Sequence, residues 1–170
     1  MEINLIEKWF NLYERDITSF LIYYTGSMDV EDLVQETFLR AMRKISIYNE
    51  NAHPKTWLIS IARNLVIDHY RRSRVWSKIR HMFLQEQVFS IDMERRIIIN
   101  QENSNLYNSI NKLPSNYKEV IILRGILGMS SKEVSEVMKS NENNVNVMYY
   151  RSLKKLKSLM EKEGYEYGEL

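Results

Sequence analysis

The chain has 170 residues, 44% of them hydrophobic, which is enough apolar surface for one or two small domains and excludes a chain that is disordered by composition. Its formal net charge of +2 says little about partners, and the absence of cysteine excludes disulfides and thiolate metal sites. Charged residues interrupt the N-terminal apolar residues, and no apolar run reaches the length of a membrane span. We therefore expect no signal peptide, no transmembrane helix and a cytoplasmic location.

Apolar residues recur at helical spacing along nearly the whole chain, and no stretch alternates apolar and polar residues as a strand does. The pattern therefore predicts an all-α fold. A first amphipathic helix is expected over residues 3–24, and the Thr-Gly-Ser sequence at 25–27 ends it. Asp29 is expected to cap a second helix that runs to about Ile45. The expected core face of this second helix is Val30, Leu33, Val34, Phe38, Ala41, Met42 and Ile45.

A third helix is predicted after the polar loop 49–53. Pro54 suits its first turn, because proline lacks the N–H that would have no partner there, and the helix is expected to reach about Arg72. Residues 75–102 are interpreted as a linker, since their pattern is weak and their end is strongly polar. The chain is thus predicted to form two small helical domains joined by that linker, 1–74 and 103–170.

The second domain carries clear signals of helix ends. Two short helices come first, and Gly128 ends the second of them in the left-handed conformation. Ser130 and Glu133 have the spacing of a capping box, and Asn141 is expected to cap a long helix over about 142–161. A short helix, a tight turn and a longer helix together predict a helix-turn-helix.

Charge is unevenly distributed along the chain. Residues 1–44 hold eight acidic and five basic side chains, whereas residues 45–82 hold two acidic and seven basic ones. The acidic cluster of the second helix could meet a basic partner protein, bind Mg²⁺ for phosphodiester chemistry, or complement the helix dipole. Metal chemistry is the least supported, because no other segment supplies a convergent ligand. No nucleophile motif or glycine-rich phosphate loop is present, so we predict no metal, no cofactor and no enzymatic activity.

The third helix is basic. A basic segment begins in it and continues past its predicted end to residue 80, and the six cations of this segment, against the single acid Asp68, are Arg63, Arg71, Arg72, Arg74, Lys78 and Arg80. Such a patch favours a phosphate backbone through counterion release, and aromatic side chains beside cations suit unstacked bases. Trp57, with its apolar neighbours, is more typical of a core residue than of a stacking platform.

The last helix has an apolar stripe and a polar stripe on opposite sides. In a helix-turn-helix, the first residues of the second helix meet base edges, where asparagine can bond adenine and valine can touch a thymine methyl. Cations further along neutralise phosphates. The alternative is that this polar stripe only faces solvent. The capping box, the turn and the asparagine-rich start of the helix together favour DNA binding. The candidate contacts are Asn143, Asn144, Asn146, Val147, Tyr150, Arg151 and Lys154.

Three segments taken together resemble a known family. Residues 29–41, DVEDLVQETFLRA, resemble the core-binding helix of bacterial sigma factors of the extracytoplasmic-function (ECF) group. Residues 56–72, TWLISIARNLVIDHYRR, resemble the promoter-melting helix of that group. Leu113-Pro114 followed by residues 130–156 resembles its C-terminal helix-turn-helix. The resemblance covers nearly the whole chain, in the family's order.

The resemblance implies a sigma factor that binds core RNA polymerase and directs promoter-specific transcription initiation. It implies polymerase contacts at Asp29, Asp32, Gln35, Glu36 and Arg40. It implies contacts with the minus-ten element at Asn51, Ala52, His53, Lys55, Arg63, Asn64, Arg71 and Arg72. The helix-turn-helix is then expected to read the minus-thirty-five element. Promoter DNA and an anti-sigma factor, often membrane-anchored in this family, are the further partners implied.

The chain departs from the family at two places in the helix-turn-helix. Lys139 stands in the turn where glycine is common, and the start of the recognition helix, residues 144–148, lacks two usual cations. Promoter preference therefore does not carry over from the family. The alternative interpretation is a helix-turn-helix regulator that acts without core polymerase, and a third is a metal-dependent enzyme acting on nucleic acid.

Overall fold

The structure is a computed structural model that describes residues 2–83 and 101–164, with side chains described for residues 4–73 and 105–164. All regular structure in these ranges is helical, which confirms the predicted all-α class. The α-helices are α1 (Glu2–Thr25), α2 (Glu31–Lys44), α3 (Pro54–Phe83), α4 (Gln101–Asn111), α5 (Ser115–Val120), α6 (Ser131–Met138) and α7 (Glu142–Lys162). A 3-10 turn, Ile45–Ile47, follows α2, and a π-helical segment, Ile121–Ile126, continues α5.

The N-terminal half is built on α1, α2 and α3, whose apolar faces meet. These faces repeat every three to four residues in the sequence, so each helix has one side suited to burial. The side chains at the centre of this core are Ile17, Phe20, Leu21, Val34, Phe38, Ala41, Leu58, Ile59 and Ala62. Burial of one large apolar side chain contributes roughly 1.5–3 kcal/mol. Because α2 packs through this face, its acidic side chains stay at the surface.

The start of α2 differs from the prediction that Asp29 caps it. The helix begins at Glu31, and the capping position belongs to Val30, which makes no side-chain hydrogen bond to the helix. Val30 is buried, so the chain turns into the helix one residue later than predicted. Asp29 instead donates its backbone N–H to Ser27 Oγ at 3.1 Å. The acidic first turn, Glu31 and Asp32, then complements the helix dipole.

The third helix is longer than predicted. It begins at Pro54 as expected but continues to Phe83, because no glycine or further proline interrupts it. Residues 84–100, the middle of the predicted linker at 75–102, lie outside the described residues, and the limits of the two domains stay a prediction. Within the described ranges, no helix is both long enough and apolar enough to cross a membrane.

The C-terminal half contains the predicted helix-turn-helix, α6 and α7. Gly128 has a φ of 64°, the left-handed conformation expected of it. Ser130 and Glu133 form the capping box, with hydrogen bonds of 3.2 and 2.7 Å between each backbone N–H and the other side chain. Lys139 is also left-handed, with a φ of 53°, which costs a residue other than glycine on the order of 1–2 kcal/mol. The Asn141 side chain caps α7 through a 2.8 Å hydrogen bond.

Candidate functional site

The predicted acidic face of α2 lies at the surface. Its residues are Asp29, Asp32, Gln35, Glu36 and Arg40, of which the first three are exposed and the last two half-buried. Arg40 Nε donates to Glu36 Oε1 at 2.8 Å, and its guanidinium lies 3.7 Å from Asp68 on α3. The hydrogen bond from Arg40 lowers the pKa of Glu36. Glu36 therefore keeps its negative charge at neutral pH, and the acidic face to which it belongs can attract a basic partner.

Two exposed apolar side chains lie along the same helix. Leu39 is 44% exposed and Met42 is 41% exposed, one helical turn apart. Met42 was predicted to belong to the buried face of α2, and that prediction is wrong, because the core is filled by Phe38 and Ala41 instead. Large apolar side chains beside charged ones are typical of a protein interface, with its apolar centre and polar rim.

The acidic side chains of α2 do not converge with metal ligands from another element. Across the side chains that the structure describes, no group of three or more histidine, aspartate or glutamate residues is arranged to hold a metal ion. The geometry therefore gives no support to metal-assisted chemistry at this face.

The loop before α3 is held by aromatic packing behind it. Trp9, Tyr48 and Trp57 form a cluster with ring centroids 4.9 to 5.9 Å apart, so Trp57 packs as a core residue. The Tyr48 hydroxyl donates to the carbonyl of Ala52. His53 accepts a hydrogen bond at Nδ1 from the backbone of Lys55 at 3.2 Å, which leaves its Nε2 for another partner.

The loop itself presents polar groups to solvent. Asn51 and His53 are exposed, whereas Ala52 and Lys55 are half-buried. The predicted minus-ten residues of the loop thus lie together, next to a rigid aromatic support.

The predicted cations of α3 fall into two groups. Arg71 and Arg72 are exposed, as is Asn64, and they are free to face a phosphate backbone. Arg63 is not, because its guanidinium makes two hydrogen bonds to the carboxylate of Glu119 in the C-terminal half. The side chains of the remaining predicted cations lie outside the described ones: Arg74, Lys78 and Arg80.

The Arg63–Glu119 ion pair lies in a contact between the two halves. Only 18% of the Arg63 side chain and 6% of the Glu119 side chain are exposed. Burial and the negative charge of Glu119 raise the pKa of the adjacent Tyr24 to about 12. Thr56 Oγ1 donates to Glu133 Oε1 at 3.3 Å across the same contact. In this arrangement Arg63 is engaged with Glu119 and is not available to nucleic acid.

The predicted recognition face of α7 is open to solvent. Its residues, all exposed, are Asn143, Asn144, Asn146, Val147, Tyr150, Arg151 and Lys154. The opposite stripe, with Val145, Ser152 and Leu156, is buried against the rest of the C-terminal half. Lys154 Nζ lies 4.7 Å from the centre of the Tyr150 ring, which holds this cation beside an aromatic side chain.

The capping box predicts a pH dependence of stability. Burial alone would raise the pKa of Glu133, but hydrogen bonds from Ser130 and Thr56 outweigh it and lower the pKa. A carboxyl group whose pKa is lowered on folding stabilises the protein above its unfolded pKa, and this stability is lost as the pH falls through the folded value. We expect E133Q to lower the free energy of unfolding by about 1 kcal/mol at pH 7.

The difference between E133Q and the wild type should shrink as the pH falls below the ordinary value of 4.5. Urea unfolding at a series of pH values measures it. E136Q, on the exposed side of the same helix, is the control and should lie close to the wild type throughout. A loss that is the same at pH 3 and pH 7 would contradict this role of the Glu133 charge.

Comparison with known protein families finds two matches in the chain. The model of sigma-70 region 2 matches residues 9–75, and the model of sigma-70 region 4 matches residues 104–156. The first match covers all of α2 and most of α1 and of the basic α3, and the second covers α6 and most of α7.

Relatives of the chain include several ECF RNA polymerase sigma factors. The chain is 28% identical to the ECF RNA polymerase sigma factor BldN of Streptomyces coelicolor, in an alignment that covers 94% of the chain and 61% of BldN. It is 29% identical to SigX and to SigM of Bacillus subtilis. Those alignments cover 89% of the chain and 81% of SigX, and 91% of the chain and 94% of SigM.

Solved structures of similar fold include two complexes with partner proteins. One is the sigma factor RpoE of Bartonella quintana with the anti-sigma factor NepR, at a TM-score of 0.74 and 22% identity over 91% of this chain and 96% of RpoE. Another is CnrH with the cytosolic domain of CnrY, at a TM-score of 0.70 and 22% identity over 92% of this chain and 88% of CnrH. At this identity the likeness establishes the fold.

Proposed function

The chain belongs to the sigma-70 family, and on that premise we propose that it binds core RNA polymerase and directs transcription initiation as an ECF sigma factor. The observation that carries the proposal is the presence of region 2 and region 4 in the family's order, with a separate exposed surface on each. The polymerase performs the chemistry, and this chain selects the start site. It acts in the cytoplasm, where polymerase and promoter are.

Core polymerase binds the acidic face of α2. This assignment is supported by the exposure of Asp32 and Gln35, the charge of Glu36, and the apolar Leu39 and Met42 beside them. The acids steer a basic surface of the polymerase into place, and the apolar side chains lose water on contact.

The loop 49–53 and the exposed side of α3 bind the minus-ten element. Asn51 and His53 offer polar groups to an unstacked base, and Lys55 follows them at the start of the helix. Asn64, Arg71 and Arg72 lie further along α3 and hold the backbone of the separated strand by charge and hydrogen bonding. Arg63 joins them once it leaves Glu119.

The recognition face of α7 binds the minus-thirty-five element in the major groove. Its first turn carries amides, which suit base edges, and its later residues Arg151 and Lys154 suit phosphates. With the proposed domain limits, 1–74 and 103–170, the two promoter-binding surfaces lie on separate domains, which the linker at 75–102 joins.

An anti-sigma factor is a further partner of the chain. Proteins of the same fold are bound by NepR and by the cytosolic domain of CnrY. We assign the exposed apolar and acidic surface of α2 as the face that such an inhibitor covers, because covering it prevents polymerase binding.

Reconstitution with core polymerase tests the proposed function. Purified chain and core enzyme are mixed with genomic fragments, and run-off transcripts are sequenced to find start sites that neither component gives alone. We expect new start sites preceded by a shared pair of elements. A chain that binds duplex DNA without core polymerase and directs no transcription would support the regulator interpretation instead, and DNA cleavage with Mg²⁺ alone would support the enzyme interpretation.

A further inference from the structure

Two side chains of α3 are each bonded to a carboxylate from the C-terminal half. The Arg63 guanidinium donates through Nε and one Nη to the two carboxylate oxygens of Glu119. Thr56 Oγ1 donates to Glu133 Oε1 at 3.3 Å. Thr56 and Arg63 are seven positions apart, close to two helical turns, so they lie on one side of α3. The C-terminal half thus covers a polar stripe of this helix.

The covered stripe belongs to the helix to which we assign the minus-ten element. Arg63 is one of the proposed minus-ten residues, and Thr56 directly follows another, Lys55. Only 2% of Thr56 and 18% of the Arg63 side chain are exposed, whereas Arg71 and Arg72 on the same helix are exposed. While Arg63 is bonded to Glu119, the proposed minus-ten surface is therefore open only in part.

The two carboxylates offer the same chemistry as the phosphates of a nucleic-acid strand. The fork of an arginine binds two oxygens of a carboxylate or of a phosphate with the same pair of parallel hydrogen bonds. A hydroxyl group can likewise donate to either acceptor. Both acids are held in place, because Glu119 is buried in the contact and Glu133 is bonded to Ser130 in the capping box. Each donor of the stripe thus already has an anionic partner.

We propose that these two glutamates stand in for phosphates of the minus-ten strand, so that the free chain keeps part of its own minus-ten surface closed. Thr56 is then a further residue of that surface, beside Arg63. Because the Arg63 fork holds one partner at a time, the strand and Glu119 compete for it. The competition is reciprocal, so the contact weakens binding of the strand and the strand weakens the contact.

The inference rests on the proposed function for the identity of the strand, but the competition can be measured without polymerase. The probe is a fluorescent single-stranded oligothymidylate of about twelve nucleotides, within the usual range of site sizes. E119Q keeps the shape of the side chain and removes its charge, so Arg63 is released more easily. We expect the full-length E119Q chain to bind the probe about tenfold more tightly than the wild type, as is common for coupled sites. Fluorescence anisotropy at a fixed low salt concentration measures the affinities.

Matched variants separate the release of Arg63 from a general loss of acid. E136Q removes one negative charge from an exposed position of α6, and its affinity should stay close to that of the wild type. R63M with E119M removes the acid together with the cation that it holds, and it should bind the probe no more tightly than E136Q. Thermal unfolding, followed by circular dichroism, shows whether each variant is folded at the temperature of the assay.

The hydroxyl of Thr56 has its own test in the E119Q background. T56V keeps the shape of the side chain without the hydroxyl, and it should weaken binding of the probe by about fivefold, the contribution of one ordinary hydrogen bond. T56S keeps the hydroxyl and should lose less affinity than T56V. Equal affinities for T56V and its E119Q parent would remove Thr56 from the surface.

A measurement on the wild type does not depend on the folding of E119Q. The Nε–H signal of Arg63 in the magnetic resonance spectrum of the isotope-labelled chain is identified by its absence from R63M with E119M. Addition of the probe should shift this signal, with the same midpoint as the change in anisotropy. An Arg63 signal that stays in place at a saturating concentration of probe would overturn the inference.

Two results with the variants would also overturn it. One is equal affinity of E119Q and E136Q for the probe, and the other is a gain in E119Q that R63M with E119M shares. Either result leaves the proposed function intact if the holoenzyme still gives promoter-specific transcripts. A holoenzyme that initiates nowhere refutes the proposed function instead, and the affinities for the probe still show whether Glu119 competes with single-stranded DNA.

Discussion

Reversal of two charges on the acidic face, D32K together with E36K, is expected to weaken binding to core polymerase by at least about a hundredfold. Like charges that face each other across an interface repel, and their repulsion lowers the affinity by several factors of ten. Asp32 is exposed and Glu36 is half-buried, on the side of α2 opposite the buried Val34 and Phe38, so the fold should persist. Titration of labelled protein with core polymerase, followed by fluorescence anisotropy, measures the loss.

The matched control changes the same number of charges elsewhere. E136K with E161K places two lysines on exposed positions of α6 and α7, and it should form holoenzyme with wild-type affinity. The neutral variant D32N with E36Q should fall between the two, and its affinity should depend less on salt than that of the wild type. Equal affinities for the charge-reversed variant and the control would refute the assignment of the acidic face.

Removal of Glu119 is expected to have the second large effect, on the contact between the two halves. E119A leaves the Arg63 cation buried without its partner, and loss of one member of a buried pair costs about 3–5 kcal/mol. The chain avoids that cost by separating its halves, which returns Arg63 to water. We expect E119A to show a larger radius of gyration in small-angle scattering and a lower midpoint of urea unfolding.

The double variant R63M with E119M controls for the loss of charge itself. Two apolar side chains of suitable size replace a buried ion pair at little cost, so the double variant should be as compact as the wild type.

Transcription assays with the single variants should distinguish the role of Arg63 from that of Glu119. E119A should retain promoter opening, because Arg63 becomes available to DNA, whereas R63M should reduce it. An E119A variant with wild-type dimensions and wild-type unfolding would show that the ion pair does not hold the halves together.

The local features of this protein could be predicted because short-range patterns in the sequence determine them. Apolar spacing predicted α1, α2, α3 and α7, and the spacing of Ser130 and Glu133 predicted the capping box that the structure contains. Exposure of the recognition face follows from the same periodicity, because its buried stripe begins at Val145. The prediction that Asp29 caps α2 was wrong, which shows the limit of such short-range patterns. Burial of the next residue, Val30, moved the start of the helix.

Other features depend on residues far apart in the chain. The pairing of Arg63 with Glu119 joins positions 56 apart, and the bond from Ser131 to Asn146 joins positions 15 apart. Sequence patterns identified Arg63 and Asn146 as polar residues on helices but could not say which partner each would meet. By itself the sequence determined the helices, their apolar faces and the family, because these depend on neighbours within a few residues. Only the tertiary structure decided which charges and amides are already engaged, because hydrogen bonds and ion pairs form only where folding brings their atoms within about 3 Å.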